Sequence, residues 1–377
     1  VRTLALQAKK YPDINMPTAI TQIAGRQVAA EKIPSWREIE EIWYPKHLSL
    51  EQCSSEITAR YKARLFQGDS LTDLTGGFGI DCSFLATGFK SATYVERQEE
   101  LCEIAAHNFP ILNLNHINVR NEDGVAYLQT MSPVDCIFLD PARRNEHGGK
   151  TVAISDCEPN VAELEALLLS KANRVMIKLS PMLDLSLALK ELKHTQEIHI
   201  LSVNNECKEL LILLRQTSPA EIAIHCVNLL TKGTQEEQHL VFTREQEQRS
   251  QCTYTDSLGN YLYEPNASLL KAGAFRSIAA AYPVRKLHPN SHLYISDSFI
   301  ENFPGRIFRI VNQCSFNKKE VKENLADLKT ANVTVRNFPA TVAELRKRLH
   351  LTEGGDTYLF ASTLNNGQKV IIRCEKV

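Results

Sequence analysis

The sequence is short of several features that would restrict its function. None of its ten cysteines forms a C-x-x-C pair, so we expect no structural zinc site and no bound metal. No apolar run approaches the ~18 residues that span a bilayer, so we expect no membrane partner. Residues 1–13 lack the apolar segment and the small-residue cleavage site of a signal peptide, and a cytoplasmic location follows as the expectation.

Net charge is also small, at −1 over 377 residues, but it is unevenly distributed. Residues 1–68 carry +3, residues 69–250 carry −10, residues 251–302 carry 0 and residues 303–377 carry +6. In the last segment, 13 Lys and Arg side chains stand against 7 Asp and Glu. Basic ends of this kind fit a polyanionic partner. They equally fit an ordinary solvated basic surface.

The apolar pattern changes near residue 70. Residues 18–66 place apolar side chains at three- and four-residue spacing, which predicts helices. Beyond them, apolar strands alternate with amphipathic helices, which predicts a parallel sheet covered by helices on both faces. The predicted strands are 70–74, 91–96, 116–121, 134–140, 173–179, 197–204 and 209–215, and the predicted helices are 79–87, 98–109 and 160–170.

The end of this sheet should differ from the rest. Only residues 205–208 separate its last two strands, which is too short for a crossover, so the final strand should run antiparallel in a hairpin. A further strand pair, 220–230 and 239–243, is expected to extend this edge. The polar stretch 243–260 predicts a linker or an exposed hairpin. The remaining residues predict a small α/β segment with a helix over 266–282, and then an α+β segment from 303 onward.

A glycine-rich turn follows the first strand, in the stretch "LTDLTGGFGIDCSF" at residues 71–84. Gly77 and Gly79 match the first two glycines of a dinucleotide-binding turn, but Cys82 replaces the third. Asp73 comes before the glycines. A carboxylate is out of place beside a pyrophosphate, and it suits a ligand that carries an ammonium group. A turn that serves packing alone is the alternative.

Acidic residues also end the following strands. Glu96 ends the second strand, where a carboxylate can accept hydrogen bonds from both ribose hydroxyls. Asp123 follows the third strand and could contact an exocyclic amine or cap the next helix. Asp140 ends the fourth strand in "FLDPARRN", at the carboxyl edge where open α/β sheets bind ligands. A plain strand-ending turn is the alternative for Asp140.

These spaced features resemble the class I S-adenosylmethionine-dependent methyltransferases over about residues 70–215. "DLTGGFG" resembles their motif I, Glu96 the ribose-binding acid, Asp123 the adenine-side acid and "DPAR" motif IV. The resemblance implies a Rossmann-like seven-stranded sheet with its last strand antiparallel, preceded by a helical region and followed by a small C-terminal α+β domain. It implies that S-adenosylmethionine is bound by Asp73, Thr75, Gly77, Phe78, Gly79, Glu96, Arg97, Asp123, Gly124 and Asp140. It implies that the catalytic residues are Asp140, Arg143 and Lys178, with no metal ligands.

The sequence also resembles a narrower bacterial group whose last domain is THUMP-like. This resemblance implies a helical region at 1–68, a methyltransferase domain at 69–245, a ferredoxin-like segment at 251–302 and a THUMP-like domain at 303–377. THUMP domains bind RNA, so RNA, either tRNA or rRNA, is the expected partner. Methyltransferases of proteins or small molecules, and non-catalytic RNA-binding proteins that keep the fold, are the alternatives.

The methylated atom stays open between a base nitrogen and a ribose oxygen. Ala142 and Arg143 replace the second proline and the aromatic residue of base-nitrogen methyltransferases, although Arg can also stack on a base. No cysteine suits pyrimidine C5 chemistry. Ribose 2′-O-methyltransferases use a Lys-Asp-Lys-Glu tetrad, and Lys62, Asp140, Lys178 and either Glu206 or Glu209 fall at corresponding places. In that pattern a desolvated Lys178 could have a lowered pKa and act as a base.

Overall fold

The computed structural model describes residues 13–143, 153–217, 219–233 and 236–377, and the side chain of Arg143 lies outside this description. The chain divides into two compact units. The first comprises Val1–Ile198 with Glu209–Ala220, and the second comprises His199–Lys208 with Glu221–Val377. No helix within the described ranges is long and apolar enough to cross a membrane. The predicted four-part domain division stays a prediction.

The first unit starts with the predicted helical region. Its helices are α1 (Met16–Lys32), α2 (Pro34–Arg37), α3 (His47–Gln52) and α4 (Glu56–Leu65). The side chain of Asn15 caps α1 by accepting a hydrogen bond from the Thr18 N–H at 3.2 Å. Ile33 and Trp36 are buried in a hydrophobic cluster that Phe78 joins from the glycine-rich turn. The helical region therefore packs directly on the segment that carries this turn.

Strands and helices alternate after α4. The strands are β1 (Gly68–Asp73), β2 (Phe89–Glu96), β3 (Ile117–Asn121), β4 (Val134–Leu139), β5 (Ala142–Arg143), β6 (Cys157–Glu158), β7 (Ala172–Leu179), β8 (Thr195–Val203) and β9 (Glu206–Leu214). The helices are α5 (Ile80–Ala86), α6 (Glu99–Ile111), α7 (Gly124–Thr130), α8 (Val161–Lys171) and α9 (Leu185–Glu191). Each predicted strand of the main sheet is present, within about three residues of its predicted limits.

The main sheet has the strand order β11-β10-β8-β9-β7-β4-β1-β2-β3, in which β10 spans Ala223–Leu229 and β11 spans Glu237–Thr243. The pairs β1–β2, β1–β4, β2–β3 and β4–β7 are parallel, whereas β9 runs antiparallel to β7, as predicted. Asn204 and Asn205 connect β8 to β9 with φ angles of 49° and 69°, which is the conformation of a tight hairpin turn. β10 and β11 are the expected further strand pair, and they extend the seven predicted strands to nine.

The second unit contains a separate seven-stranded sheet with the order β13-β14-β12-β15-β18-β17-β16. Its strands are β12 (Tyr261–Pro265), β13 (Arg285–Lys286), β14 (Tyr294–Ser296), β15 (Gly305–Ser315), β16 (Asn332–Val335), β17 (Thr357–Thr363) and β18 (Lys369–Lys376). Its helices are α10 (Arg244–Arg249), α11 (Ala267–Ala272), α12 (Phe275–Ala281), α13 (Lys318–Leu325) and α14 (Val342–Leu349). β16 and β17 pair in parallel, and β18 is antiparallel to both β15 and β17.

Two predictions in this unit are wrong in detail. The stretch predicted as a linker or hairpin over 243–260 starts with α10, because Thr243 and Gln246 form a capping box that initiates the helix. The single helix predicted over 266–282 is two helices. Gly273 ends α11 with a left-handed φ of 74°, a conformation that glycine adopts at helix C-termini. Helical spacing of apolar residues does not reveal such a break.

Candidate active site

The candidate site lies at the carboxyl ends of β1, β2, β4 and β7. β2 and β3 lie on one side of β1, and β4 and β7 lie on the other, so the direction in which strands are added reverses at β1. Ligands bind at such a point in open α/β sheets. The glycine-rich turn joins β1 to α5. Gly79 has a φ of 86° in this turn, a left-handed value that side-chain-bearing residues rarely adopt. The sequence-predicted turn is therefore present at the expected edge.

Asp73 ends β1 and is almost completely buried, with 1% exposure. Its Oδ1 accepts a hydrogen bond from the Thr75 N–H at 3.0 Å, whereas its buried Oδ2 has no hydrogen-bond partner among the described residues. Burial raises the pKa of Asp73 well above its ordinary value, against the opposing effect of the Thr75 N–H. A buried acceptor without a partner is costly. Asp73 is therefore suited to a cationic ligand group that would supply the missing partner.

Glu96 ends β2 and holds the glycine-rich turn. Its Oε2 accepts from the Gly77 N–H and its Oε1 from the Gln98 N–H, each at 2.9 Å. The hydroxyl of Tyr94, on the same strand, donates to the Gly77 carbonyl. Each carboxylate oxygen has two lone-pair sites, so Glu96 keeps acceptor capacity beyond these contacts. Glu96 thus fixes the turn, and the predicted ribose contact stays a prediction.

Asp123 and Gly124 start α7 beside the end of β1. Oδ1 of Asp123 accepts from the Val125 and Ala126 N–H groups at 2.9 and 3.0 Å, so the helix-cap role is present. A Cβ atom at Gly124 would lie 2.1 Å from the Leu74 carbonyl oxygen, which only a glycine avoids. The contact of Asp123 with an adenine stays a prediction.

Thr75 and Lys178 position Asp140 at the end of β4. The backbone N–H of Asp140 donates to Oγ1 of Thr75 at 2.6 Å, which joins the ends of β1 and β4. The Lys178 ammonium, at the end of β7, lies 2.5 Å from Oδ2 of Asp140. The Asp140 side chain nevertheless retains 36% exposure. It is the carboxylate that an incoming substrate could reach.

Burial and charge pairing have opposite effects on the pKa of each residue in this pair. Burial raises the pKa of Asp140 above its ordinary value, and Lys178 reduces that rise. Burial alone would lower the pKa of Lys178, but Asp140, Asp81 and Glu209 together raise it well above its ordinary value. The interpretation of Lys178 as a base with a lowered pKa is therefore wrong, because nearby carboxylates outweigh its desolvation. Lys178 is an ammonium ion at neutral pH.

A second lysine, Lys62 of α4, is completely buried behind this pair. Its Nζ lies 2.5 Å from Oε2 of Glu209 and 3.0 Å from Oδ1 of Asp81. The other oxygen of Asp81, Oδ2, lies 3.3 Å from Nζ of Lys178. Asp81 thus connects the two lysines. We call the whole group the edge cluster, and it comprises Ser54, Lys62, Asp81, Asp140, Lys178 and Glu209.

The edge cluster contains all four members of the predicted Lys-Asp-Lys-Glu tetrad. Of the two glutamates left open by the sequence, Glu209 belongs to the cluster, because it ion-pairs with Lys62. Glu206 is exposed and pairs with Lys208 at 2.7 Å. Three carboxylates against two ammonium groups leave the cluster with an excess negative charge, which favours a positively charged ligand nearby.

Sequence reasoning missed Ser54 and Asp81. The Ser54 hydroxyl donates to Oδ2 of Asp81 at 2.7 Å and accepts from Nζ of Lys62 at 2.9 Å. Asp81 is the second residue of α5 and so points to the same sheet edge as the glycine-rich turn. Its position directly after the turn, in "GID", was the available signal. Ser54 gave no signal, because it precedes α4 and meets the cluster only through the tertiary fold.

Other predicted residues lie differently. The ring of Phe78 is buried against Trp36, with the ring centroids 5.3 Å apart, so its side chain belongs to the hydrophobic cluster of the helical region. Arg97 is exposed, and its guanidinium lies 3.5 Å from the Glu158 carboxylate. The side chain of Arg143 lies outside the described part of the chain. The cofactor and catalytic roles of these three residues stay predictions.

Among known structures, a bacterial protein matches nearly the whole chain. A crystal structure from Porphyromonas gingivalis W83, provisionally described as a methyltransferase, is 37% identical and has a TM-score of 0.88. The alignment covers 97% of this chain and 92% of that chain. Family profiles described as a ferredoxin-like domain and as THUMP domain-like match residues 261–304 and 305–376. None of the curated proteins compared with the chain matches it.

Two more distant structures align with part of the chain. A Streptococcus thermophilus rRNA methylase is 14% identical, with a TM-score of 0.31, over 42% of this chain and 93% of that chain. M. capricolum TrmK in complex with S-adenosyl-homocysteine is 13% identical, with a TM-score of 0.34, over 43% of this chain and 68% of that chain. At TM-scores this low, neither supports a conclusion about this chain.

The family assignment depends on the nearly complete match and on the C-terminal profile. The P. gingivalis protein shares both the identity and the fold of this chain over almost its full length. The C-terminal profile identifies the last domain as THUMP-like. The chain belongs to the same methyltransferase family as the P. gingivalis protein, in the group with a C-terminal THUMP-like domain.

Proposed function

We propose that this protein transfers a methyl group from S-adenosylmethionine to RNA, either tRNA or rRNA, in the cytoplasm. The observation that carries the proposal is the position of Asp140. This partly exposed carboxylate lies at the sheet edge, next to Lys178, and its backbone N–H donates to Thr75 in the turn that follows Asp73. The same edge thus offers one buried acid for a cofactor and one accessible acid for a substrate.

The residues at this edge fit S-adenosylmethionine. The orphaned Oδ2 of Asp73 supports an interaction with the ammonium group of the methionine part. The turn from Thr75 to Gly79 would border that part, Glu96 would accept from the ribose hydroxyls, and Asp123 would lie on the adenine side. Bound there, the cofactor would supply a methyl group attached to a sulfonium. The sulfonium sulfur is already activated as the leaving group.

The chain's own contribution is then to position the acceptor and to manage one proton. A nucleophilic O–H or N–H loses its proton when it is methylated. Asp140 can accept a hydrogen bond from that group and take the proton, because burial raises its pKa toward the range useful for a base. Lys178 cannot take the proton, since it is already an ammonium ion. It holds the Asp140 carboxylate in place. Positioning of this kind can supply roughly 7–11 kcal/mol of the barrier.

We favour a ribose oxygen as the acceptor over a base nitrogen. The support is the edge cluster, which unites Lys62, Asp140, Lys178 and Glu209, the four residues of the ribose 2′-O pattern. The base-nitrogen pattern lacks its second proline and its aromatic residue at positions 142 and 143. Methylation of a base nitrogen remains the second candidate, because Arg143 can stack on a base.

RNA as the substrate rests on the charge of the C-terminal segment. Residues 303–377 carry a net charge of +6, against −10 for residues 69–250. A catalytic segment with net negative charge repels a polyanion, so a separate basic surface is needed to hold RNA. Lys347 and Arg348 of α14 are exposed and offer such contacts.

The test is methyl transfer by the purified full-length protein. The protein is incubated with labelled S-adenosylmethionine and with RNA from a strain that lacks it, and the RNA is then digested and its nucleosides are separated by mass spectrometry. A 2′-O-methyl group blocks alkaline cleavage of the next phosphodiester bond, so label in alkali-resistant dinucleotides supports ribose methylation. Label in a base of a mononucleotide supports the nitrogen alternative. An Asp140→Asn variant provides the control.

Two results would contradict the proposal. Transfer of label to protein or to a small molecule, with none to RNA, would support the other enzyme class. RNA binding without any transfer, and without binding of S-adenosylmethionine in calorimetry, would support a non-catalytic RNA-binding protein that keeps the fold.

A further inference from the structure

Three histidines lie together on neighbouring strands of the second unit, and none of them belongs to the edge cluster. His199 lies on β8, His225 on β10 and His239 on β11, and these strands are consecutive in the sheet. In the antiparallel β10–β11 pair, His225 is opposite Val241 and Val227 is opposite His239. His225 and His239 are therefore diagonal neighbours on the same face of the sheet.

Ring nitrogens of two pairs of these histidines lie close together. Nδ1 of His225 lies 3.3 Å from Nε2 of His239. Two imidazole nitrogens that each lie ~2.0–2.1 Å from a tetrahedral metal ion are about 3.4 Å apart, so this pair already has the required separation. Ring nitrogens of His199 and His225 lie within 4.8 Å of each other, and these two rings stack with centroids 4.3 Å apart.

The exposure of the three side chains provides both an anchor and an entry path. His199 is buried, at 2% exposure, His225 is half-buried and His239 is exposed. A metal ion can therefore approach from the solvent through His239 while the inner histidine is held by the sheet. The three ligands come from three strands, so a bound ion would join those strands together.

We propose that His199, His225 and His239 form a binding site for a borderline divalent transition metal ion such as Zn²⁺ or Ni²⁺. Imidazole is a preferred ligand of these ions, whereas Mg²⁺ and Ca²⁺ prefer oxygen. Three histidines leave a fourth tetrahedral position for water. The sequence predicted no metal site, because these histidines are far apart in the chain and share no short motif.

The test uses Co²⁺ as the probe with the reduced full-length protein. Tetrahedral Co²⁺ gives visible absorption bands, and thiolate ligands add a charge-transfer band in the near ultraviolet that histidines do not give. This distinction is needed because the chain contains ten cysteines. We expect binding of one Co²⁺ ion without the thiolate band, and displacement of the ion by Zn²⁺.

Single-residue variants distinguish binding at these histidines from Co²⁺ binding elsewhere on the protein. His225→Ala and His239→Ala should each weaken Co²⁺ affinity by at least ~10-fold, since even the loss of a second-shell partner costs that much in metal sites. His239 is exposed, so its replacement spares the fold even if variants of the buried His199 are unstable. His47→Ala, an exposed histidine on α3, is the matched control and should bind as the wild type does. Absence of Co²⁺ binding by the wild type, a thiolate band, or unchanged affinity in both variants would overturn the proposal.

Discussion

The Nζ atom of Lys178 lies 2.5 Å from Oδ2 of Asp140, at the ends of adjacent parallel strands. The two residues in this contact differ in exposure, and we expect them to have different roles. The lysine is largely buried, at 10% exposure of its side chain, and its pKa is raised by the surrounding carboxylates. The aspartate keeps 36% exposure, so an acceptor could reach it. We therefore expect Asp140 to be the group that contacts the substrate.

Replacement of Asp140 by Asn should lower kcat by about 10²–10⁴-fold, because the acceptor proton loses its base. Affinity for S-adenosylhomocysteine should stay nearly the same in calorimetry. Lys178→Met should shift the rise of activity to higher pH, because loss of the ammonium group raises the pKa of Asp140 further. Lys208→Met, an exposed lysine on β9 paired with Glu206, is the control. Wild-type turnover in Asp140→Asn would exclude Asp140 as the base.

Asp73→Asn should weaken S-adenosylhomocysteine binding by about 1.5–3 kcal/mol, the range for a hydrogen bond to a charged group. The pKa of Asp73 is raised in the folded protein, so a cationic group that binds there should displace a proton. Calorimetry in buffers of different ionisation enthalpy should detect proton release with the wild type and none with Asp73→Asn. Asp69→Asn, exposed on the same strand, is the control. Equal proton release in both proteins would contradict this role.

The same raised pKa affects stability. Between the ordinary pKa of an aspartate and the raised value, the unfolded chain has lost a proton that the folded chain retains. The free energy of unfolding therefore falls as pH rises through this window. Asp73→Asn should remove that fall and stabilise the protein without cofactor at neutral pH. Chemical unfolding of both proteins over a pH series measures the difference.

Lys62→Met should destabilise the first unit by about 3–5 kcal/mol, because Glu209 would be left buried without its cation. Lys62→Met combined with Glu209→Leu should recover much of that loss. Arg60→Ala removes an exposed ion pair with Glu56 on the same helix and should change the free energy of unfolding by at most about 1 kcal/mol. Denaturant unfolding measures all three. A loss in Lys62→Met no larger than in Arg60→Ala would show that the buried pair is not needed for stability.

Asp81 should make the protein sensitive to acid. Burial alone would raise its pKa, but Lys62 and Lys178 lower it to about 2, from an ordinary value of 3.8. A lowered pKa contributes stability that is present above the ordinary value and is lost as pH falls toward 2. Asp81→Asn should therefore reduce the steepness of acid unfolding below pH 4, measured by circular dichroism, whereas Asp69→Asn should leave it nearly unchanged. Equal slopes in wild type and Asp81→Asn would contradict this account.

Lys347→Glu should weaken RNA binding and reduce its salt dependence, with a log–log slope smaller by about 0.7 for each lost phosphate contact on single strands. Lys347 is the cleanest position on α14. Arg346 lies 3.1 Å from Glu353, and the Arg348 guanidinium lies 4.0 Å from the centre of the Phe316 ring, so replacing either would also disturb packing. Lys232→Glu, in the β10–β11 turn, gives the same charge change as a control. Filter binding over a salt series measures both, and equal losses would indicate a general charge effect.

The local sequence pattern was sufficient to predict most of the strands and helices. The strands that end in Asp73, Glu96 and Asp140 were predictable because short apolar runs bounded by turn residues indicate buried strands. The glycine-rich turn was predictable because Gly77 and Gly79 stand directly after such a run. Breaks inside a predicted element were not predictable. The end of α11 at Gly273 depends on one backbone angle, which apolar spacing does not report.

The composition of the edge cluster was only partly predictable. Asp140 and Lys178 end neighbouring strands, so the sequence alone brings them to one edge. The choice of Glu209 over Glu206 depended on the register of β9, since residues three apart on a strand point to opposite faces. Asp81 belongs to the cluster because α5, which carries it, starts directly after the glycine-rich turn.

The sequence by itself determined the α/β order, the glycine-rich turn and the basic C-terminal segment, because these depend on local periodicity and composition. Tertiary structure alone decided which charges meet. Lys62 and Glu209 are 147 residues apart, yet their side chains are 2.5 Å apart. It also decided the charge state of Lys178. The sequence had suggested that the pKa of this lysine would be lowered. Desolvation and charge pairing act in opposite directions on a buried lysine, and only the three-dimensional positions of Asp81, Asp140 and Glu209 determine which effect is larger.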